Sequence, residues 1–150
     1  MTSINIKNLS KSYGSTQAVQ NLSLEVKKGE LFGLIGPDGA GKTTTFRMLT
    51  TLILPDEGSA TVEGSDIVRD YKKIRNCVGY MPGRFSLYQD LTVQENLEFF
   101  ATVFGTTIEQ NYSLIKDIYE QIKPFSNRRA GKLSGGMKQK LALCCALIHK

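Results

Sequence analysis

Leu31-Phe32-Gly33-Leu34-Ile35 runs directly into Gly36-Pro37-Asp38-Gly39-Ala40-Gly41-Lys42-Thr43-Thr44, and the reading of this stretch decides the fold. The apolar run reads as a buried strand, and the nine residues after it match G-x-x-x-x-G-K-[ST] at every fixed position. Strand, glycine-rich loop and helix in that order predict a phosphate-binding loop, with its helix over about 41 to 51. Glycines at 36, 39 and 41 lack a Cβ and tolerate positive φ, so successive backbone N–H groups can converge on phosphate oxygens. The helix N-terminus adds its dipole. Lys42 is placed to reach the terminal phosphates, Thr43 to offer a hydroxyl to Mg²⁺, and Thr44 to donate on the α-phosphate side. A glycine-rich turn before an ordinary helix would use similar letters, but rarely this spacing after such a strand.

Upstream, short alternating runs (Ile4 and Ile6, then Leu22, Leu24 and Val26) predict strands, with turns at Gly14 and at Lys27-Lys28-Gly29. Downstream, Pro55 and Gly58 stop the loop's helix, Ala60 and Val62 open another strand, residues 70–76 form a short helix, and Cys77-Val78-Gly79-Tyr80 returns as a strand. Beyond Gly83 the period becomes helical. Thr92 and Glu95 spell a capping box ahead of Val93, Leu97, Phe100 and Phe104. Ile108, Tyr112, Ile115, Tyr119 and Ile122 share a helical face that Pro124 ends, and a last helix from Gly135 to His149 packs Met137, Leu141, Cys145 and Ile148. The expected organisation is an α/β core over 1–83, a helical subdomain over 84–132, and a segment 133–150 returning toward the core.

Composition agrees with a globular protein: 150 residues, 41% hydrophobic and 22% charged, long enough for a core. The longest apolar run is far short of the roughly 18 residues of a membrane span, and the N-terminus lacks the basic flank and apolar core of a secretion signal. A cytosolic location is expected. The cysteines, Cys77 and the adjacent Cys144-Cys145, suit neither a zinc site nor a disulfide and read as small core residues. His149 reads as solvent-exposed. All fourteen carboxylates lie at or before Glu120, whereas residues 121–150 carry seven Lys or Arg. A basic end of this kind can mean nucleic-acid or lipid binding, but these residues fall around a second glycine-rich motif and lack interleaved aromatics, which argues against a nucleic-acid partner.

The second diagnostic stretch is Leu133-Ser134-Gly135-Gly136-Met137-Lys138-Gln139, in which a Ser hydroxyl and glycine N–H groups open a helix and can face an anion. A helix N-cap serine with flexible glycines is the plainer reading. Placed after the phosphate loop and a helical insertion, however, it makes the whole chain resemble the ATP-binding cassette family, the ATPase subunits of ABC transporters. The resemblance implies a P-loop NTPase core with a mixed sheet, ATP and Mg²⁺ as ligands, and a head-to-tail pair of cassettes in which Leu133, Ser134, Gly135 and Gly136 face the partner's nucleotide. It also implies a permease in the cell membrane as partner, with the cassette on its inner face. Lys11-Ser12-Tyr13-Gly14 resembles the family's A-loop, making Tyr13 the candidate to stack on adenine. The run from Val78 to Leu97 is similar to the Q-loop region of ABC-2 type exporters. With Asp38 and Ala130-Gly131-Lys132, it points toward bacterial multidrug exporter ATPases.

Two departures stand out. The glutamine that names the Q-loop is replaced by Gly83, which puts coupling in doubt, and Gln89 lies six residues too late to replace it. The strand-end carboxylate and catalytic glutamate that the family places beyond the signature helix, and its later histidine, are not found by Lys150. Asp56 and Glu57 come directly after Pro55 and read as a turn, not as substitutes. The 150-residue chain is therefore expected to bind nucleotide without turning it over, and to be marginally stable with apolar edges exposed. Two other readings remain at this point: a non-catalytic remnant, and a non-transport cassette ATPase acting on nucleic acid. The absence of an Asn-Lys-x-Asp motif argues against a GTPase.

Overall fold

Alternating side chains in the first 27 residues fold into a hairpin of two long strands, β1 (Thr2–Tyr13) and β2 (Thr16–Lys27). Gly14, at φ 59°, makes the connection. The computed structural model describes residues 1–149, and the chain divides into two compact units, Met1–Arg75 and the part from Asn76 onward.

In the first unit β3 (Glu57–Val62) pairs with the free side of β1, with Ile6 opposite Ala60, and the short β4 (Ser65–Asp66) pairs in turn with β3. The order is β2-β1-β3-β4, antiparallel throughout. Ile6, Val26, Ala60 and Val62 are buried, as the alternation requires, and Leu9 is buried as well, beyond a register shift in β1 between Ile6 and Leu9. Helix α1 (Lys42–Leu49) packs on β2 and β3 and buries Met48 and Leu49. Helix α2 (Tyr71–Arg75) buries Ile74. The turn after α1 carries Thr51 at φ 61°, a costly conformation for a β-branched residue. The guanidinium of Arg75 holds it there, donating from Nε to Thr51 Oγ1 at 2.8 Å and from Nη2 to its carbonyl at 2.7 Å.

The second unit is helical: α3 (Val93–Val103), α4 (Tyr112–Tyr119) and α5 (Gly135–Leu147), with 3₁₀ turns at Lys123–Phe125 and Ala130–Lys132. Its core joins Val93, Leu97 and Ala101 to Ile108, Ile115, Tyr119 and Ile122, and to Leu141, Cys144, Cys145 and Ile148. The apolar residues of the stripes therefore meet in one core, but α4 is shorter than the expected helix, with Ile108 and Ile122 in turns outside it, and Phe104 stays exposed. Thr92 and Glu95 form the expected capping box.

Two expected strands do not form. Residues 31–35 and 77–80 belong to no strand among the described residues, and the side chains of Leu31 and Ile35 are almost fully exposed. Apolar, β-branched sequence supplies only a preference; a strand also needs a hydrogen-bonded neighbour. Two single-residue expectations also fail. Cys77 is exposed and not in a core, and His149 is partly buried, stacked on Phe104 with ring centroids 3.8 Å apart. Cys144 and Cys145 are core residues as expected. Burial pushes the Cys144 thiol up to about 12 and raises Cys145 as well, so neither is a thiolate at neutral pH.

Candidate nucleotide-binding site

Residues 36–41 lead into α1 with Gly39 and Gly41 both at φ 82°. The two glycines differ in their surroundings. A Cβ on Gly39 would meet nothing, whereas one on Gly41 would lie 2.1 Å from the carbonyl oxygen of Ala18 on β2. Gly41 is therefore required both for its backbone conformation and for the approach of loop to strand. No side chain caps α1, so the N–H groups of its first turn lack partners within the helix and are available to an anion. No acidic residue lies in that turn to compete.

Lys42 bends back over the loop, its ammonium donating to the carbonyl oxygens of Gly36 and Pro37 at 2.6 Å each. Thr45 donates its hydroxyl to Gly41 O at 3.0 Å and stays buried, while Thr43 is exposed. Asp38 to Thr44, together with Ala18 and Tyr13, line one open cavity of about 320 Å³. Tyr13 is half-exposed at the end of β1, with the Lys11 ammonium 5.9 Å from its ring centroid. An aromatic face, a glycine-rich loop and a lysine at a helix N-terminus thus border the same space.

What fixes the Tyr13 end of β1 is Asp56. Its carboxylate accepts from Lys11 Nζ at 2.6 Å and from the Ser12 N–H at 2.7 Å. These bonds, the Lys11 side chain first, hold the carboxyl below its ordinary value. Asp56 is thus a structural pin, in keeping with its reading as part of a turn.

The other glycine-rich motif lies wholly within the second unit. Leu133 is buried, while Ser134, Gly135 and Gly136 are exposed at the start of α5. Ser134 is the N-cap, its hydroxyl oxygen accepting from the Met137 N–H at 3.4 Å. That bond leaves the hydroxyl proton available to donate. The approach to the motif is clamped: Ala130 N–H donates to Leu91 O and Gly131 N–H to Gln89 O, each at 2.8 Å.

Over residues 19–150 the sequence matches the family model described as ABC transporter, spanning both motifs. The chain belongs to the ABC transporter family. It is 48% identical over 134 residues to the probable multidrug ABC transporter ATP-binding protein YbhF of Escherichia coli K12, covering 87% of this chain and 23% of that protein. A solved ATP-binding subunit of an ABC transporter superposes with a TM-score of 0.85 at 27% identity, covering 98% of this chain and 62% of that one. The dimeric structure of MJ0796, a bacterial ABC transporter cassette, gives 0.81 at 26% identity, covering 97% and 69%. The likeness establishes the α/β cassette fold. The chain spans about a quarter of YbhF and under two thirds of the first solved subunit.

Within this family fold, Gly83 sits in a stretch without regular structure, and a Cβ there would meet nothing within 4 Å. The backbone carbonyl of Gln89 accepts from the Gly131 N–H at 2.8 Å. Asn96 is the residue that sequence reading missed. It is fully buried on α3, accepts from Tyr88 N–H at 3.1 Å, and donates to the carbonyls of Tyr88, Leu91 and Thr92 at 3.0, 3.3 and 2.9 Å. An amide beside the apolar stripe, one turn after the capping threonine, was the available signal. Among the described residues no cluster of His, Cys, Asp or Glu could hold a metal, and no helix is long and apolar enough to cross a membrane.

Proposed function

We propose that this chain supplies the nucleotide-binding part of an ABC transporter ATP-binding subunit, which couples ATP binding and hydrolysis to export through a membrane permease. The observation that carries this reading is the cavity bordered by Tyr13 and the 38–44 loop, with the Lys42 ammonium over the loop. In this reading the adenine stacks on Tyr13, the N–H groups of residues 39–44 receive the phosphates, and Lys42 exchanges its bonds to Gly36 O and Pro37 O for phosphate oxygens. Gly36, Pro37, Asp38, Gly39, Ala40 and Gly41 shape the cradle.

The uncapped helix N-terminus suits the phosphates, and the exposed hydroxyl of Thr43 suits Mg²⁺, which keeps few protein ligands beside substrate phosphates. When bound, the ion neutralises charge on those phosphates. The chain's own contribution is to hold the nucleotide in place for attack of water on the γ-phosphate, a reaction governed by positioning and charge. A second cassette would present Ser134, Gly135 and Gly136 of its α5 to that nucleotide, each copy completing the other's site. The assembly would work on the inner face of the cell membrane, and similarity to YbhF favours a multidrug-type cargo.

Binding of a fluorescent ATP analogue to the chain and to Lys42→Ala tests the site. Removing the cation should weaken binding at least tenfold, since charge-assisted bonds to phosphate are each worth about 1.5–3 kcal/mol. Equal binding by the two proteins would overturn the assignment.

A further inference from the structure

We propose that His149 is a positioning residue that fastens the extended segment 78–80 to the C-terminal end of α5, making the loop at Gly83 and the signature helix one body. His149 comes directly after Ile148, the C-cap of α5, and its Nε2 lies 3.1 Å from the carbonyl oxygen of Val78. A carbonyl can only accept, so Nε2 carries the proton. In the neutral ring Nδ1 is then a bare acceptor, and it is buried without a hydrogen-bond partner. An uncompensated buried nitrogen is costly, and here it accompanies the bond to Val78 on the ring's other side.

Three further contacts make this end of α5 a prepared dock. The imidazole lies flat on Phe104, the C-cap of α3, at an interplanar angle of 11°. Asn111 donates to Ile148 O at 2.7 Å, fixing the last carbonyl before the histidine. Gly79 passes so close to α5 that a Cβ would stand 2.1 Å from Ala146 O, a contact only glycine allows. The segment docked in this way continues through Met81 and Pro82 into Gly83. At the far end of α5, 13 residues or about 20 Å away, stands Ser134. A shift of the helix caused by engagement of Ser134 would therefore carry the 81–83 loop with it. The inference rests on the proposed function only for the roles of Ser134 and Gly83; the fastening itself does not depend on it.

The test uses the full chain labelled with ¹⁵N. Imidazole nitrogen shifts and couplings should place the proton of the bond to Val78 O on Nε2. His149→Phe keeps the stack on Phe104 and removes the donor. Backbone ¹⁵N order parameters at Gly79, Tyr80, Met81 and Gly83 should then fall from about 0.85 toward about 0.6, with the interiors of α3 and α5 unchanged. His149→Gln, which restores a donor, should reverse most of the fall. Unchanged order at 79–83, a fall spread evenly over α3 and α5, or no recovery with Gln would each overturn the proposal. Should His149→Phe not fold, Gly79→Ala should loosen the same residues with His149 intact, and unaltered order there would overturn it equally. ATP-analogue binding should stay the same in these variants, whereas failure of the proposed function would appear in Lys42→Ala and leave the relaxation results standing.

Discussion

Lys42 donates to the carbonyl oxygen of Gly36 at 2.6 Å, closing the glycine-rich loop onto the first residue of its own helix. The loop's own groups thus hold its shape, and a phosphate that takes Nζ must also draw the Ala40 N–H away from Pro37 O. Such preorganisation makes the glycines' surroundings decisive, because any distortion of the loop is felt directly in affinity.

Gly39 and Gly41 separate two effects that loop mutations usually mix. Both stand at φ 82°, so alanine at either carries left-handed strain of about 1–2 kcal/mol. Only at Gly41 does the new Cβ also collide with Ala18 O. Gly39→Ala should lower ATP-analogue affinity by roughly tenfold or less, whereas Gly41→Ala should displace the loop and abolish measurable binding. Titration of both proteins checks the order, and equal losses would mean that the clash is absorbed by β2.

Acid should weaken the first unit in a defined window. Asp56 is held below its ordinary 3.8 by Lys11 first and then by the Ser12 N–H. Asp70 is held down by Lys73, and Asp66 by the N–H groups of Arg69 and Val68. Depressed folded-state values contribute stability that is fully present above the ordinary value and drains away as pH falls through the folded one. Unfolding measured from about pH 5 down to about pH 2 should show this loss, with a smaller loss in Asp56→Asn. A variant with the same pH dependence as the parent would show that the Lys11 pair contributes nothing.

Asn96 organises the loop before α3 as fully as any apolar residue organises the core. Its amide satisfies the N–H and carbonyl of Tyr88 and the carbonyls of Leu91 and Thr92 from a fully buried position. Asn96→Ala leaves the N–H and carbonyl of Tyr88 without a partner, while Leu91 O keeps the Ala130 N–H and Thr92 O the backbone N–H of residue 96, and it should cost about 3 kcal/mol. Asn96→Asp keeps the acceptor but sets a carboxylate against three carbonyls, and should be no better. Thermal unfolding of the two variants measures this, and a loss under about 0.5 kcal/mol would show that water replaces the amide.

Legibility in the sequence divides by the range of the interactions. The Thr92–Glu95 capping box, the Ser134 N-cap, the hairpin at Gly14 and the helical stripes depend on neighbours a few residues away; the first three stand as their spacing implies, and the stripes meet in one core. Residues 31–35 and 77–80 have strand-like composition, but pairing depends on distant residues that composition does not specify. The burial of His149 depends on Phe104 and Val78, 45 and 71 positions away. Asn96 escapes notice for the same reason, and Asp56 is legible only as a turn residue: the partners of both are groups that only the fold brings near.

Gly83 provides the last test, because it separates a structural need for glycine from the mere absence of a side chain. Its φ is not in the left-handed region, and a Cβ would meet nothing within 4 Å. The backbone therefore places no demand on the residue, unlike at Gly79, where a Cβ would stand 2.1 Å from Ala146 O. Gly83→Gln, which installs the residue implied by the family resemblance, should fold with stability within about 0.5 kcal/mol of the parent, while Gly79→Ala should lose several times that. Parallel denaturant titrations decide the matter. If Gly83→Gln were as damaging as Gly79→Ala, the glycine would be a packing requirement; if it is neutral, this chain's departure from the Q-loop pattern lies in side-chain chemistry alone.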